Sequence, residues 1–336
     1  MRGNATRWVL ALFSDAGGAL AEIEQRLTVE KELSIQAVLI QALASVANVA
    51  PASADEMIDR LAAQLRWSAI AESSAGDAPI TAQHPLDSLI KLIVHLGVEA
   101  ATARARQSLS AWMNDPVANW HRVVRAAVWL GRLVNPPGGT SVSQQDRGFA
   151  LLEQAASGVS QAWQDISTDD APTQGLLSQE TGVTAIVEVA EEIAKQLYFA
   201  SGAMQQASSE QPPREDDQEF AVRALSVFEK LGAIPHPRVT HYIVQTLSYL
   251  IQHNVEPRRC YLVAAKAVQP DSEYEYKSPA VQEVMQMIDH FVADCHDLLF
   301  ADQECLVATR RLLAVFVRVG RDEAIQRVIE LDAIFR

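Results

Sequence analysis

The residues best suited to metal chemistry lie near the carboxyl end of the chain. On a helix, His290 and Asp294 stand one turn apart, and Asp297 falls close to the same face. Imidazole nitrogen and carboxylate oxygen are ligands that Zn²⁺ accepts. The alternative is a solvated acidic face beside a Cys295 that packs inward as a small apolar side chain. We adopt this alternative, and the sequence therefore predicts no metal ligands.

A second acidic group, Asp216 and Asp217, follows Pro212 and Pro213. It invites comparison with the aspartate-rich motifs of all-helical prenyl-diphosphate enzymes, which hold magnesium ions against a diphosphate. Those enzymes need two carboxylate clusters on facing helices, and we find no second cluster at helical spacing. Acidic residues at a helix start also stabilise the positive end of the helix dipole. The sequence therefore predicts a helix start here.

Histidine beside charged residues can serve acid–base catalysis, which brings His236 and His241, near Arg238, into consideration. The simpler interpretation places His236 in a rigid Pro-His-Pro loop and His241 at the polar edge of a helix. The local motifs of phosphate loops, dinucleotide folds, zinc proteases, serine hydrolases and Cys-x-x-Cys centres do not occur in the sequence. We therefore predict no catalytic residues, no cofactor and no enzymatic activity.

One tryptophan-rich segment is positively charged, whereas the chain as a whole is acidic. Five arginines between positions 104 and 132 are opposed only by Asp115, and three tryptophans are interleaved with them. Arginine and tryptophan are the residue types that anchor protein interfaces. The alternative is a packed core of tryptophans covered by arginine stems. The candidate partner-binding residues are Arg104, Arg106, Trp112, Trp120, Arg122, Arg125, Trp129 and Arg132. A partner surface requires Arg122 and Arg125 to be exposed and Trp120 or Trp129 to be partly so.

The composition of the chain excludes several classes of protein and of binding partner. The 336 residues are 49% hydrophobic and 21% charged, which excludes a disordered chain. Twenty-eight Lys and Arg against 42 Asp and Glu give a net charge of −14, so nucleic acid and anionic lipid are poor partners. Three cysteines fit a reducing cytosol. No apolar run approaches the ~18 residues that span a bilayer, and the run 8–13 is too short for a signal peptide. The chain is predicted to be cytoplasmic, with no membrane association.

Helical periodicity dominates the whole sequence, and strand patterns are nearly absent. Proline and glycine residues indicate where the helices begin and end. Ser53 and Glu56 predict a capping box at the start of one of them. A polar stretch at 167–181 predicts a long loop, and Gly97 predicts a bend or tight corner. The proline-rich acidic stretch 208–217 divides the chain into an N-terminal array, 1–207, and C-terminal repeats, 218–336. We expect helices at 30–50, 53–72, 85–114, 117–134, 144–166, 183–207, 218–231, 239–253, 257–268, 279–299, 302–319 and 322–335.

One internal similarity links two of the later helices. Residues 223–232 read RALSVFEKLG, and residues 311–320 read RLLAVFVRVG. Their separation is twice 44 residues, and 44 lies inside the roughly 40–47 residue period of HEAT and armadillo units. Across 218–336 the chain resembles HEAT-like helical repeats in architecture only. The resemblance implies an all-α, right-handed solenoid-like array of antiparallel helix pairs, with a concave surface for protein partners.

These observations predict a non-catalytic scaffold or adaptor that binds a protein partner. One alternative is the recognition component of a larger bacterial NTPase-based signalling or defence system, whose nucleotide-binding module would be a separate part. Another is an all-α metal-dependent enzyme in which Asp216, Asp217, His290 and Asp294 meet in one pocket. The sequence names neither the partner nor the oligomeric state.

Overall fold

A computed structural model of the protein describes residues 16–64, 84–134, 141–168, 176–203, 216–268, 280–318 and 320–334. Within these ranges every regular element is a helix and no strand occurs, so the all-α prediction is confirmed. The helices are α1 Ala16–Val29, α2 Leu33–Ala47, α3 Pro51–Gln64, α4 Pro85–Val94, α5 Ala103–Asn114, α6 Trp120–Val134, α7 Val142–Thr168, α8 Leu176–Ala200, α9 Asp216–Leu231, α10 Pro237–Gln252, α11 Pro257–Ala267, α12 Ala280–Asp294, α13 His296–Ala301, α14 Gln303–Arg318 and α15 Asp322–Ile334.

Some predicted features lie outside the described residues. They are the apolar run 8–13, a loop expected at 73–79, a proline–glycine break at 135–139 and most of the boundary at 208–217.

Packing follows the alternation of helices along the chain. One series, here called the first row, consists of α2, α4, α6, α8, α10 and α12, each in contact with the next. The second row consists of α3, α5, α7, α9, α11 and α14, again in successive contact. Sequence neighbours such as α6 and α7, or α10 and α11, join the two rows. One apolar core runs through both, from Leu20 to Leu331.

The rows continue past the predicted domain boundary. The second-row helices α7 and α9 pack together on either side of it, and so do the first-row helices α8 and α10. Glu153 of α7 also accepts hydrogen bonds from Ser226 and Lys230 of α9, both at 2.8 Å. The division into two domains stays a prediction, because contacts of this kind join domains as well as repeats.

The two similar segments occupy equivalent places. They form the later parts of α9 and α14, which both lie in the second row and both contact α11. Phe228 and Phe316 are completely enclosed, and so are the alanine and leucine at the second positions of the two segments. Gly320 has a φ of +74°, the left-handed conformation that glycine adopts without strain at a helix end.

The predicted corner at Gly97 is a single π-helical turn, His95–Glu99, that follows α4 directly. A Cβ atom at position 97 would lie 2.7 Å from Leu109 Cδ1 of α5. The absence of a side chain therefore lets the chain turn back closely against the next helix. A glycine at position 131 serves a similar close approach between α6 and α8, where a Cβ would lie 2.7 Å from Gln196 Cβ.

The predicted capping box at Ser53 and Glu56 is wrong. Helix α3 already begins at Pro51, a residue whose fixed φ and missing N–H suit a first turn, so Ser53 lies inside the helix. The buried side chain of Asp55 instead caps the start of another helix, α5. Its carboxylate accepts hydrogen bonds from the Arg104 and Ala105 amides, both at 2.9 Å, and from the Thr102 hydroxyl at 2.7 Å.

Two further boundaries differ from the predictions. Helix α8 begins at Leu176, inside the predicted loop 167–181. The single helix expected over 279–299 is interrupted at Cys295, whose φ and ψ of −123° and 29° are not helical. The break separates α12 from the short α13.

All three cysteines, Cys260, Cys295 and Cys305, are buried free thiols. Burial raises the pKa of each, to about 11 for Cys305. In the part of the chain that the structure describes, no helix is both long enough and apolar enough to cross a membrane.

Candidate partner-binding surface

The predicted arginine and tryptophan residues divide between two helices of different rows. Arg104, Arg106 and Trp112 lie on α5 in the second row, whereas the other five lie on α6 in the first row. The eight residues therefore form several separate environments, which the structure distinguishes by burial and by partner.

Two of the α5 arginines are exposed. The Arg104 guanidinium lies 2.7 Å from the Asp59 carboxylate of α3, and both side chains are at least half exposed. An ion pair this exposed contributes little to stability. Arg106 is also exposed to solvent.

The exposure required of Arg125 is not observed. Its guanidinium Nε lies 2.7 Å from Asp87 Oδ1 of α4, and the two side chains are only 8% and 4% exposed. A second guanidinium nitrogen donates a hydrogen bond to the His121 carbonyl at 2.9 Å. Arg125 thus joins α4 to α6 within the core. Replacing it with an acidic residue would destabilise the fold and would therefore not test whether it binds a partner.

Arg122 and Trp112 connect α5 with α6. The guanidinium carbon lies 5.8 Å from the centre of the Trp112 ring and one guanidinium nitrogen donates to Asn119 Oδ1 at 3.1 Å. Arg122 is half-buried, and the loss of water lowers its pKa. Trp112 is buried and Trp120 half-buried against the core. These contacts favour a packing role for this pair.

Trp129 and Arg132 form a different arrangement, together with Lys91 of α4. The Arg132 guanidinium lies 4.4 Å from the Trp129 ring centre, and the Lys91 ammonium lies 4.8 Å from it. Both cations are exposed, while Trp129 is 8% exposed. Its indole N–H is buried and has no hydrogen-bond acceptor among the described residues. Cations beside an indole ring are attracted by its negative face.

These three side chains line an open cleft of about 530 Å³ between α2, α4 and α6, here called the Trp129 cleft. Helix α2 contributes small and polar side chains, among them Ser45 and Asn48. Within the described ranges, neither Lys91 nor Arg132 has a carboxylate partner. The one carboxylate of the lining, Glu99, lies 3.0 Å from His95 of the same helical turn.

The sequence analysis missed Lys91 and the α2 wall of this cleft. Lys91 and Trp129 are 38 positions apart in the chain, and no local pattern indicates that α2, α4 and α6 pack side by side. We find no sequence signal that could have located them, because the packing of these three helices depends on contacts distant in the chain.

Among the described residues, those considered for chemistry do not assemble into a centre. His290 Nδ1 lies 2.7 Å from the Gln252 side-chain amide, and Asp294 is exposed. The break at Cys295 puts Asp297 on another helix. No group of three or more His, Cys, Asp or Glu residues in the described ranges has metal-binding geometry. Helix α9 begins at Asp216, two residues before the predicted start at 218, and the side chains of Asp216 and Asp217 lie outside the described residues.

The two histidines considered for acid–base work have structural partners. His236 caps α10, with its ring Nδ1 accepting a hydrogen bond from the Arg238 amide at 3.3 Å. His241 lies 3.4 Å from the Glu283 carboxylate of α12.

Comparison of the chain with protein-family models, with curated proteins and with solved structures gave no match.

Proposed function

We propose that this protein is a non-catalytic α-helical scaffold that binds a protein partner at the Trp129 cleft. In this proposal the two rows of helices form a HEAT-like, right-handed solenoid of antiparallel helix pairs. The successive contacts within each row and the equivalent positions of Phe228 and Phe316 support a repeated unit. Such arrays present a continuous surface to other proteins, and a cytoplasmic location fits the free thiols.

The observation that carries the proposal is the arrangement at Trp129. Two exposed cations without carboxylate partners in the described structure flank a tryptophan whose indole N–H lacks an acceptor. Tryptophan and arginine dominate binding energy where they line a pocket that a partner can fill.

Affinity capture with the full chain tests this function. Lys91→Glu/Arg132→Glu reverses both cations of the cleft. Lys31→Glu/Arg318→Glu makes the same change in net charge at two exposed positions that do not line it. We expect the wild-type chain and the control to retain the same proteins from a lysate of the native source, measured by quantitative mass spectrometry. The cleft variant should lose them while its thermal unfolding is unchanged. Equal retention by the cleft variant would contradict the proposal.

A further inference from the structure

We infer that the Trp129 cleft recognises a carboxylate on an acidic segment of the partner protein. This inference rests on the proposed function and specifies the chemistry of the group that enters the cleft.

The charge of the cleft matches a ligand with a single negative charge. Lys91 and Arg132 line it as cations, and Glu99 lines it as a carboxylate next to His95. These charges sum to +1, which one carboxylate neutralises. A phosphate monoester, with a charge near −2 at neutral pH, would leave excess negative charge beside Glu99. We therefore favour an aspartate or glutamate side chain over a phosphorylated side chain.

The geometry of the two cations also suits a carboxylate. Both lie within 5 Å of the same ring centre, one from α4 and one from α6. A carboxylate offers two oxygens that accept charge-assisted hydrogen bonds from a guanidinium fork or from an ammonium group, so each of these cations can bind one. The Ser45 and Asn48 side chains on the α2 wall can bind the backbone of the segment that carries it.

The charge of the whole chain adds a condition on this partner. A net charge of −14 repels a highly acidic polymer at long range, which disfavours nucleic acid and long acidic tails. A segment with one or two carboxylates among neutral residues meets the cleft with little repulsion. We expect such binding to weaken between low and physiological salt, because the two cations are exposed to screening.

Selection from a peptide library identifies the preferred group without knowledge of the partner. The full chain is immobilised and presented with random twelve-residue peptides blocked at both ends. Lys91→Gln/Arg132→Gln, which removes the charges, and Lys31→Gln/Arg318→Gln, the matched control, are treated in the same way. We expect the wild type and the control to select peptides with Asp or Glu at one fixed position. The cleft variant should select none of them.

A selected peptide then gives the quantitative test by calorimetry. Changing its fixed Glu to Gln should weaken binding about tenfold, as the loss of one charge-assisted hydrogen bond implies. The same change should have no effect on binding to Lys91→Gln/Arg132→Gln, because the interacting pair is already broken.

Three results would overturn the inference. If the selected peptides share no required carboxylate, the inference is wrong, although the protein still binds peptides as the proposed function states. Tighter binding of phosphoserine than of glutamate at the fixed position would assign the cleft to phosphate. Selection of no peptide by the wild-type chain would reject the inference together with binding at this cleft.

Discussion

Arg125 and Arg132 lie seven residues apart on the same helix and have different environments. Arg125 is enclosed with Asp87, whereas the exposed Arg132 lies over the ring of Trp129. Before the fold is known, the two arginines are equivalent members of one basic segment. The residue that separates their roles, Asp87, lies 38 positions before Arg125 in the chain, so no local pattern identifies it.

Replacement of these two arginines should therefore have unequal effects on stability. Arg125→Met leaves the Asp87 carboxylate buried without its cation, which costs about 3–5 kcal/mol. Arg132→Met removes an exposed side chain and should cost less than about 1 kcal/mol. Urea unfolding followed by far-UV circular dichroism measures both. Similar costs for the two variants would show that the Arg125–Asp87 pair does not stabilise the fold.

Two histidines make the stability of the protein depend on pH. His84 and His236 each precede a proline and cap a helix, with ring Nδ1 accepting a hydrogen bond from an amide two residues later. Partial burial lowers the pKa of both, and the positive charges of Arg125 and Arg238 act in the same direction. The folded state thus binds a proton less readily than the unfolded state.

The sign of the effect follows from this difference. Above the unfolded pKa of about 6.5 both states are neutral at these histidines and their contribution is constant. As the pH falls below that value, the unfolded state takes up protons first, so the free energy of unfolding should decrease. Asparagine also caps helices but does not titrate. His84→Asn/His236→Asn should therefore show a smaller loss between pH 7 and pH 5 by urea unfolding. An unchanged pH dependence would contradict this assignment.

At the scale of elements, Asp55 links three parts of the chain. It belongs to α3, it holds the Thr102 hydroxyl before α5, and it caps the first amides of α5. Helix α5 therefore has an N-terminal cap from a different helix, whereas the Thr102 side chain makes no capping bond of its own.

Asp59, one turn after Asp55, offers a matched control because it also contacts Arg104. It does so through an exposed side-chain pair, 67% exposed at the carboxylate. Asp55→Ala should cost about 3 kcal/mol, since it leaves buried amides without acceptors. Asp59→Ala should cost less than about 1 kcal/mol. Thermal and urea unfolding distinguish them, and a small cost for Asp55→Ala would mean that water replaces the carboxylate.

Helix ends were predictable where one residue determines them. Gly232, Pro257 and Gly320 mark ends in the structure within a residue or two of the predictions, because their backbone restrictions are local. The error at Ser53 arose from two valid start signals two positions apart, Pro51 and the capping pattern that begins at Ser53. The interruption at Cys295 has no proline or glycine beside it, so the sequence carried no signal for it.

At the scale of the whole molecule, each helix contacts its row neighbours and one or two helices of the other row. Periodicity predicted the helices, and the similarity of 223–232 to 311–320 predicted that α9 and α14 occupy related places. The course of the first row past α2, α4 and α6 was not predictable. It depends on contacts between residues about 45 positions apart, which a single sequence does not display.

Contacts limited to neighbours should confine the effect of a core substitution. Phe316 is fully buried in α14, and Phe316→Ala should cost roughly 3–5 kcal/mol locally. Hydrogen exchange measured by mass spectrometry should show faster exchange in α11, α14 and α15, with α2 and α4 unchanged. Uniformly faster exchange along the chain would show instead that the protein unfolds as one cooperative unit.

The three buried thiols have a practical consequence for optical work on this protein. Alkylating reagents attack the thiolate, and burial with a raised pKa keeps Cys260, Cys295 and Cys305 protonated and inaccessible near neutral pH. A cysteine introduced at the exposed position 48, on the rim of the Trp129 cleft, would be the preferred site of attachment in the folded protein. A fluorophore can thus be placed beside the cleft with every native cysteine retained.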